Sequence, residues 1–162
     1  MDVFNVLFIG NSGIGAKTCL ISRITENVYP KFHICTIGFD SKTKIIKTNF
    51  GEIKMILIDT PGQENYNKIT KHYFKSAHCI ILGYAITDRK SFESIRYWYI
   101  NIKTNVGDNP IIFLVANKID IIDEREISEE EGISLANHLN IKYFGVSAKI
   151  GEGVDILITR YK

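Results

Sequence analysis

At 162 residues, with 45% hydrophobic and 23% charged side chains, the chain is long enough for one domain with one sizeable core, and its composition is that of an ordinary globular protein. Its 20 basic and 18 acidic residues leave a formal charge of +2, too weak a field to make nucleic acid or an anionic membrane an electrostatic partner. Cys19, Cys35 and Cys79 have neither zinc-ligand spacing nor the pairing arithmetic of a secreted disulfide scaffold, so a reduced, cytoplasmic setting is expected.

In chain order, the start carries no basic leader ahead of its short apolar run, and no stretch approaches the roughly 20 apolar residues of a membrane span. A single domain over residues 1–162 is expected. Near-continuous apolar runs at residues 3–9, 53–58, 79–84, 111–116 and 141–146 predict strands buried on both faces. An extended segment at 39–47 precedes Asn49-Phe50-Gly51-Glu52, which reads as the loop of an antiparallel hairpin. Lys42, Lys44 and Lys47 are expected on a solvated face of that strand. Phe92, Ile95, Tyr99, Ile102 and Val106 recur at helical steps. Ser128 and Glu131 form a capping box that opens a helix through about Leu139. A short last helix is expected at 154–161. This alternation implies an α/β fold, a mostly parallel sheet with one antiparallel edge strand and helices on both faces, whose ligands bind beyond the carboxyl ends of the strands.

What stands at those ends is chemically specific. After the first strand comes Gly10-Asn11-Ser12-Gly13-Ile14-Gly15-Ala16-Lys17-Thr18, then Cys19 entering a helix. Such a loop turns the backbone N–H groups of Ser12 to Ala16 toward a phosphate chain. The helix start through Cys19 adds positive potential, Lys17 neutralises phosphates, and the Thr18 hydroxyl is a ligand for Mg²⁺. The usual spacing places the lysine directly after Gly15, and here Ala16 intervenes. Either the loop carries one inserted residue, or Asn11 and Ala16 replace two glycines; normal flanks favour the insertion. One misplaced charge-assisted hydrogen bond costs about 1.5–3 kcal/mol, roughly ten- to a hundredfold in affinity.

The third strand ends in Asp59-Thr60-Pro61-Gly62-Gln63-Glu64. Asp59 is placed to orient the water shell of Mg²⁺, the Gly62 N–H to meet a γ-phosphate, and Gln63 to position an attacking water. At the fifth strand end stand Asn117-Lys118-Ile119-Asp120. A carboxylate at Asp120 accepts from the N1 and N2 donors of guanine, which adenine does not supply. Asn117 braces the loop and the Lys118 stem covers a ring face. Ser147-Ala148-Lys149 follows the sixth strand and supplies the matching base-side loop, with the Ala148 N–H directed at guanine O6.

With these blocks in the order phosphate, metal, base, base, the chain resembles the Ras-like small GTPases over essentially its whole length, and within them the Rab family. Residues 35–40, 59–64, 73–78 and Thr87-Asp88 carry the resemblance. It implies a P-loop NTPase G domain with six strands and about five helices. It also implies a Mg²⁺-dependent GTP/GDP cycle and two switch regions, 31–41 and 60–76, that meet exchange factors, GTPase-activating proteins and effectors. Thr36 then ligates Mg²⁺ and senses the γ-phosphate, and Tyr29 lies against the guanine edge. Departures from the family pattern are His33 in place of a tyrosine, Pro61 in place of an alanine, and an effector-shaping aromatic triad reduced to Ser41, Ile58 and Tyr73. His72, His78, His138 and Trp98 are expected to be helix or core residues and not ligands, because none clusters with a second ligand type.

Three functional readings result. The favoured one is a monomeric GTP-binding switch of vesicle trafficking with slow hydrolysis, using Lys17 and Gln63 on the reacting phosphate. The second is a pseudo-GTPase interaction protein, its nucleotide site disturbed by Ala16 and Pro61. An ATP-using phosphotransferase is third, disfavoured by Asp120. No prenylation signal is present in the sequence, so association with the cytoplasmic face of endomembranes would depend on a lipidated tail outside it.

Overall fold

In the computed structural model of the chain, residues 1–11, 17–30, 40–60 and 74–159 are described. Six strands form one sheet: β1 (Asp2–Ile9), β2 (Asp40–Thr48), β3 (Gly51–Asp59), β4 (Cys79–Ala85), β5 (Ile111–Asn117) and β6 (Lys142–Gly145), in the spatial order β2-β3-β1-β4-β5-β6. Every neighbouring pair is parallel except β2 with β3, which is antiparallel. Helices α1 (Thr18–Glu26), α2 (Arg89–Val106), α3 (Glu129–Leu139) and α4 (Val154–Thr159) flank the sheet, and residues 74–76 add a fifth helical segment.

The continuous apolar runs of the inner strands are explained by burial on two sides. Successive strand residues point to opposite faces. In β1, Leu7 and Ile9 join a core with Ile80, Leu82, Trp98 of α2 and Leu135 of α3. Val6 and Phe8 join a second core with Leu57, Ile81, Leu20 and Ile24 of α1, and Leu157 of α4. Complete burial of each such aliphatic or aromatic side chain contributes about 1.5–3 kcal/mol.

Caps set the helix limits. The Asp88 side chain accepts from the Ser91 N–H at 3.2 Å, and α2 stops where Gly107 turns to φ +63°. In α3 the capping box forms in both directions: the Glu131 N–H donates to Ser128 Oγ at 3.1 Å, and the Ser128 N–H donates to Glu131 Oε2 at 3.0 Å. Asn140, at φ +55°, ends it.

Three local expectations are corrected. Gly51 and Glu52 belong to β3, opposite Thr48 and Lys47, so the hairpin loop is Asn49-Phe50 alone. The sixth strand begins at Lys142 and not at residue 141, because the Ile141 N–H donates to Ala136 O at 2.9 Å and so completes the end of α3. Lys42, Lys44 and Lys47 do not share a solvated face. Strand period places Lys42 and Lys44 together, half-buried toward α1, and Lys47 on the opposite, exposed face. Lys44 Nζ donates to Ile24 O at 2.6 Å, and Lys42 Nζ pairs with Glu26 Oε1 at 2.8 Å. Two cations thus meet the negative end of the α1 dipole. Of the last helix, the described part is Val154–Thr159; residues 160–162 lie outside the described residues.

Candidate functional site

The carboxyl ends of β1, β3, β5 and β6 lie along one edge of the parallel part of the sheet, and the predicted motifs follow them. β1 is followed by Gly10, and Lys17 stands at the N-cap position of α1. Side chains at the N-cap close α2 and α3, whereas at α1 the N-cap residue is Lys17, which makes no side-chain cap hydrogen bond. The positive end of a helix dipole favours an anion. The Lys17 ammonium, buried with its side chain, donates to Gly10 O at 3.0 Å, so it folds back across the mouth of the loop. Ser12, Gly13, Ile14, Gly15 and Ala16 lie outside the described residues.

Beside Lys17, Thr18 Oγ1 and Asp59 Oδ2 are 2.5 Å apart. Asp59 is 4% exposed at the end of β3. Its position is fixed by its neighbour: Thr60 Oγ1 donates to Phe8 O at 2.7 Å and ties this strand end to β1. A hydroxyl and a carboxylate, both hard oxygen donors, suit Mg²⁺, which takes few protein ligands and completes its octahedron with phosphate oxygens and water. Among the described residues no three His, Cys, Asp or Glu side chains converge as a metal cage. Cys19, next along α1, is 2% exposed; burial pushes its thiol pKa up, against an opposing pull from Lys118.

The base-side motifs converge at the other end of this edge. Tyr29, Asn117, Lys118, Asp120, Ile121, Ala148 and Lys149 line a small cavity of about 120 Å³. Asn117 is 2% exposed, and its side-chain oxygen accepts the Ala148 N–H at 3.1 Å. Lys118 takes a left-handed backbone, φ +65°, costly for a side chain of this kind, and that turn brings Asp120 back toward β6. Ser147 Oγ donates to Asp120 Oδ1 at 2.7 Å, and the Ile150 N–H donates to Ser147 Oγ at 3.2 Å. A carboxylate has about four lone-pair sites, so the serine bond leaves capacity for the two donors of guanine. The Ala148 N–H, expected to face guanine O6, is held by Asn117, because a buried amide donor requires an acceptor. Contact with O6 would share or exchange that bond. Burial and the negative charge of Asp120 are among the causes that raise the Tyr29 phenol pKa, in keeping with its place on the cavity rim.

Thr36, Pro61, Gly62, Gln63, His33, His72 and Tyr73 lie outside the described residues. Of the triad, Ser41 and Ile58 face each other across β2 and β3, Ser41 exposed and Ile58 only 6% exposed. Trp98, at 4% exposure, sits in the core as expected. His138 is exposed on α3. His78, expected on a helix or in the core, is instead exposed in the bend just before β4, where its Nδ1 accepts the Asn5 N–H at 3.0 Å. Two larger grooves, of about 630 Å³ between α2 and α3 and about 650 Å³ beside the amino end of β5, contain none of the predicted site residues.

Sequence reasoning passed over three contributors. Thr60 ties the end of β3 that carries Asp59 to β1. Asn11, the last described residue before the phosphate loop, donates to Ser94 Oγ at 3.0 Å and accepts from the Trp98 indole at 3.3 Å. Arg23, in the last turn of α1, donates to Ala148 O at 2.8 Å and to Lys149 O at 2.6 Å. The local signal at Arg23 was a cation near a helix C-terminus, which does not name a loop 125 residues away.

A model of the Ras family matches residues 5–161. GTP-binding protein ypt2 of Schizosaccharomyces pombe is 39% identical over 153 residues, covering 94% of this chain and 76% of that protein. Ras-related protein Rab-13 of Canis lupus familiaris is 41% identical over 153 residues, covering 94% of this chain and 75% of its own length. Ras-related protein Rab-3A of Homo sapiens is 42% identical over 147 residues, covering 91% and 66% respectively. The sheet order and the similarity over nearly the whole chain agree: the chain belongs to the Ras family of small GTPases, and resembles its Rab members.

Proposed function

We propose that the chain is a single G domain that binds GTP and GDP with Mg²⁺ and hydrolyses GTP slowly. In this reading it works as a monomeric switch of vesicle trafficking at the cytoplasmic face of endomembranes. The observation that carries the proposal is one sheet edge with two chemically distinct ends: Thr18 against Asp59 at the N-terminus of α1, and Asp120 held by Ser147 over the small cavity. The first suits a metal and a phosphate chain; the second suits a base with two adjacent donors.

Within it, Lys17 exchanges the Gly10 carbonyl for phosphate oxygens and stabilises charge at the β–γ bridge as that bond breaks. Gln63 positions the water that attacks the γ-phosphorus, and the Gly62 N–H meets a γ-oxygen. Thr18 and Thr36 would hold Mg²⁺, with Asp59 orienting its water shell, and the ion would supply charge neutralisation at the phosphates. No arginine of this chain is assigned to the γ-phosphate, so hydrolysis waits on an activating protein. Exchange factors and effectors meet residues 31–41 and 60–76.

A second reading rests on Ala16 and Pro61, one in each phosphate-facing loop: a G domain kept for protein contacts, with poor nucleotide chemistry. Single-turnover GTP hydrolysis with Mg²⁺ separates the two. A slow release of one phosphate per chain, lowered further in Gln63→Leu, supports the switch. Bound GTP that persists equally in both proteins supports the interaction module.

A further inference from the structure

The cation at the far end of α1 is wired to the residue that selects the base. Arg23 lies in the last turn of α1, at the opposite end from Lys17 and Thr18, and its guanidinium leaves the helix: Nε donates to Ala148 O at 2.8 Å and Nη2 to Lys149 O at 2.6 Å. Nη1 is held in turn by Asn27, whose backbone and side-chain oxygens both accept at 3.1 Å. Asn27 is the left-handed cap of α1, φ +55°, so the arginine is fixed at both ends of its fork.

A trans peptide points its C=O and N–H in opposite directions. Holding the Lys149 carbonyl therefore aims the Ile150 N–H away from Arg23, and that N–H donates to Ser147 Oγ at 3.2 Å. Ser147 Oγ donates onward to Asp120 Oδ1 at 2.7 Å. Four groups thus form one directed relay: guanidinium, Lys149–Ile150 peptide, Ser147 hydroxyl, Asp120 carboxylate. Each donates to the next.

We infer that Arg23 is a positioning residue for base specificity, setting the angle of the Asp120 carboxylate through the Lys149–Ile150 peptide and the Ser147 hydroxyl. This rests on the proposed guanine site. Arg23 touches no part of the nucleotide. Its loss frees the loop and lets Asp120 rotate, which weakens the contact most sensitive to carboxylate angle, the one to the exocyclic 2-amino group of guanine. Inosine nucleotides lack that group, so the ratio of IDP to GDP dissociation constants reads the angle directly.

The test compares the full chain with Arg23→Ala and Arg23→Lys, measuring Kd for GDP and IDP with Mg²⁺, the thermal midpoint of each protein, and amide exchange at residues 149 and 150. For Arg23→Ala the IDP/GDP ratio is expected to fall about fivefold to tenfold, the loss of most of one hydrogen bond to a charged group, with faster exchange at the Ile150 amide. Arg23→Lys, which can hold one of the two carbonyls, recovers part of the ratio. A ratio unchanged within about twofold in a folded Arg23→Ala protein, with unchanged exchange at Ile150, overturns the relay even if the midpoint drops. If Arg23→Ala does not fold, an unchanged ratio in folded Arg23→Met, which keeps an unbranched stem and has no donor for either carbonyl, overturns it as well. Failure of the unaltered chain to prefer GDP over IDP is a different result, and overturns the guanine site itself.

Discussion

Asn117 and Ala148 meet across two strand ends, the amide oxygen of one accepting the N–H of the other at 3.1 Å, and this bond joins the two base-side loops into one structure. The Asn117 backbone takes part as well, its carbonyl accepting the Ile86 N–H at 3.1 Å. Replacement by alanine leaves a buried N–H without its acceptor, at a cost of about 1–3 kcal/mol. In Asn117→Ala, GDP release measured with a fluorescent nucleotide is expected to be faster by about tenfold or more, with a lowered thermal midpoint.

Base choice should follow the chemistry at residue 120. A carboxylate accepts from the 2-amino group of guanine, whereas an amide there offers a donor that suits the 2-oxo group of xanthine. Asp120→Asn is expected to lose GDP affinity by about tenfold or more and to gain affinity for XDP. Competition binding with both nucleotides checks the reversal; parallel loss of both would mean that Asp120 acts only through Ser147.

Thr18 and Asp59, 2.5 Å apart, are assigned to the metal. Chelation of Mg²⁺ by EDTA is expected to speed GDP release from the unaltered protein by about tenfold or more. In Thr18→Ala the release rate with Mg²⁺ should already lie near the chelated value, and EDTA should add little.

Trp98 is the one tryptophan of the chain, and its indole donates to Asn11, at the threshold of the phosphate loop, at 3.3 Å. Filling that loop with nucleotide is expected to change tryptophan emission in intensity or wavelength. Asn11→Ala removes the connection, so the emission change on adding GDP should shrink even where binding, measured by calorimetry, persists.

Glu131 provides a pH test remote from the nucleotide. The Arg89 guanidinium, at 2.8 Å, and then the Ser128 N–H hold its carboxyl below the usual glutamate range. A lowered folded-state pKa means that the unfolded chain binds the proton more tightly. The stabilisation is therefore complete above the ordinary glutamate pKa of about 4.3 and is lost as pH falls through the folded value. Melting curves of the unaltered protein and Glu131→Gln should differ near pH 7 and converge toward pH 2 to 3.

How legible all this was in the sequence depended on whether a residue acts on its own neighbourhood. Strands β4 and β5 are readable because both of their faces are apolar, and the α3 start because Ser128 and Glu131 need only each other. Asp59 and Asn117 are legible as strand ends, and Asp120 as the last residue of the short motif that follows β5. Lys42 and Lys44 were misread, since nothing in β2 announces the carbonyl end of α1 beneath them. Arg23 was invisible for a stronger reason: its partners Ala148 and Lys149 lie across the fold, brought near only by the order of the strands. The Ala148 N–H illustrates a third case: the sequence offers it to a ligand, and the fold pairs it with the Asn117 side chain.

The guanine-nucleotide assignment is tested most directly by denaturing freshly purified protein and identifying and quantifying the nucleotide released. GDP or GTP at about one per chain is the expected result, given one cavity lined by Asn117, Lys118 and Asp120 at the base end and one Thr18–Asp59 pair at the phosphate end. Protein that releases no nucleotide, and that fails to bind added GTP in the presence of Mg²⁺, would contradict it.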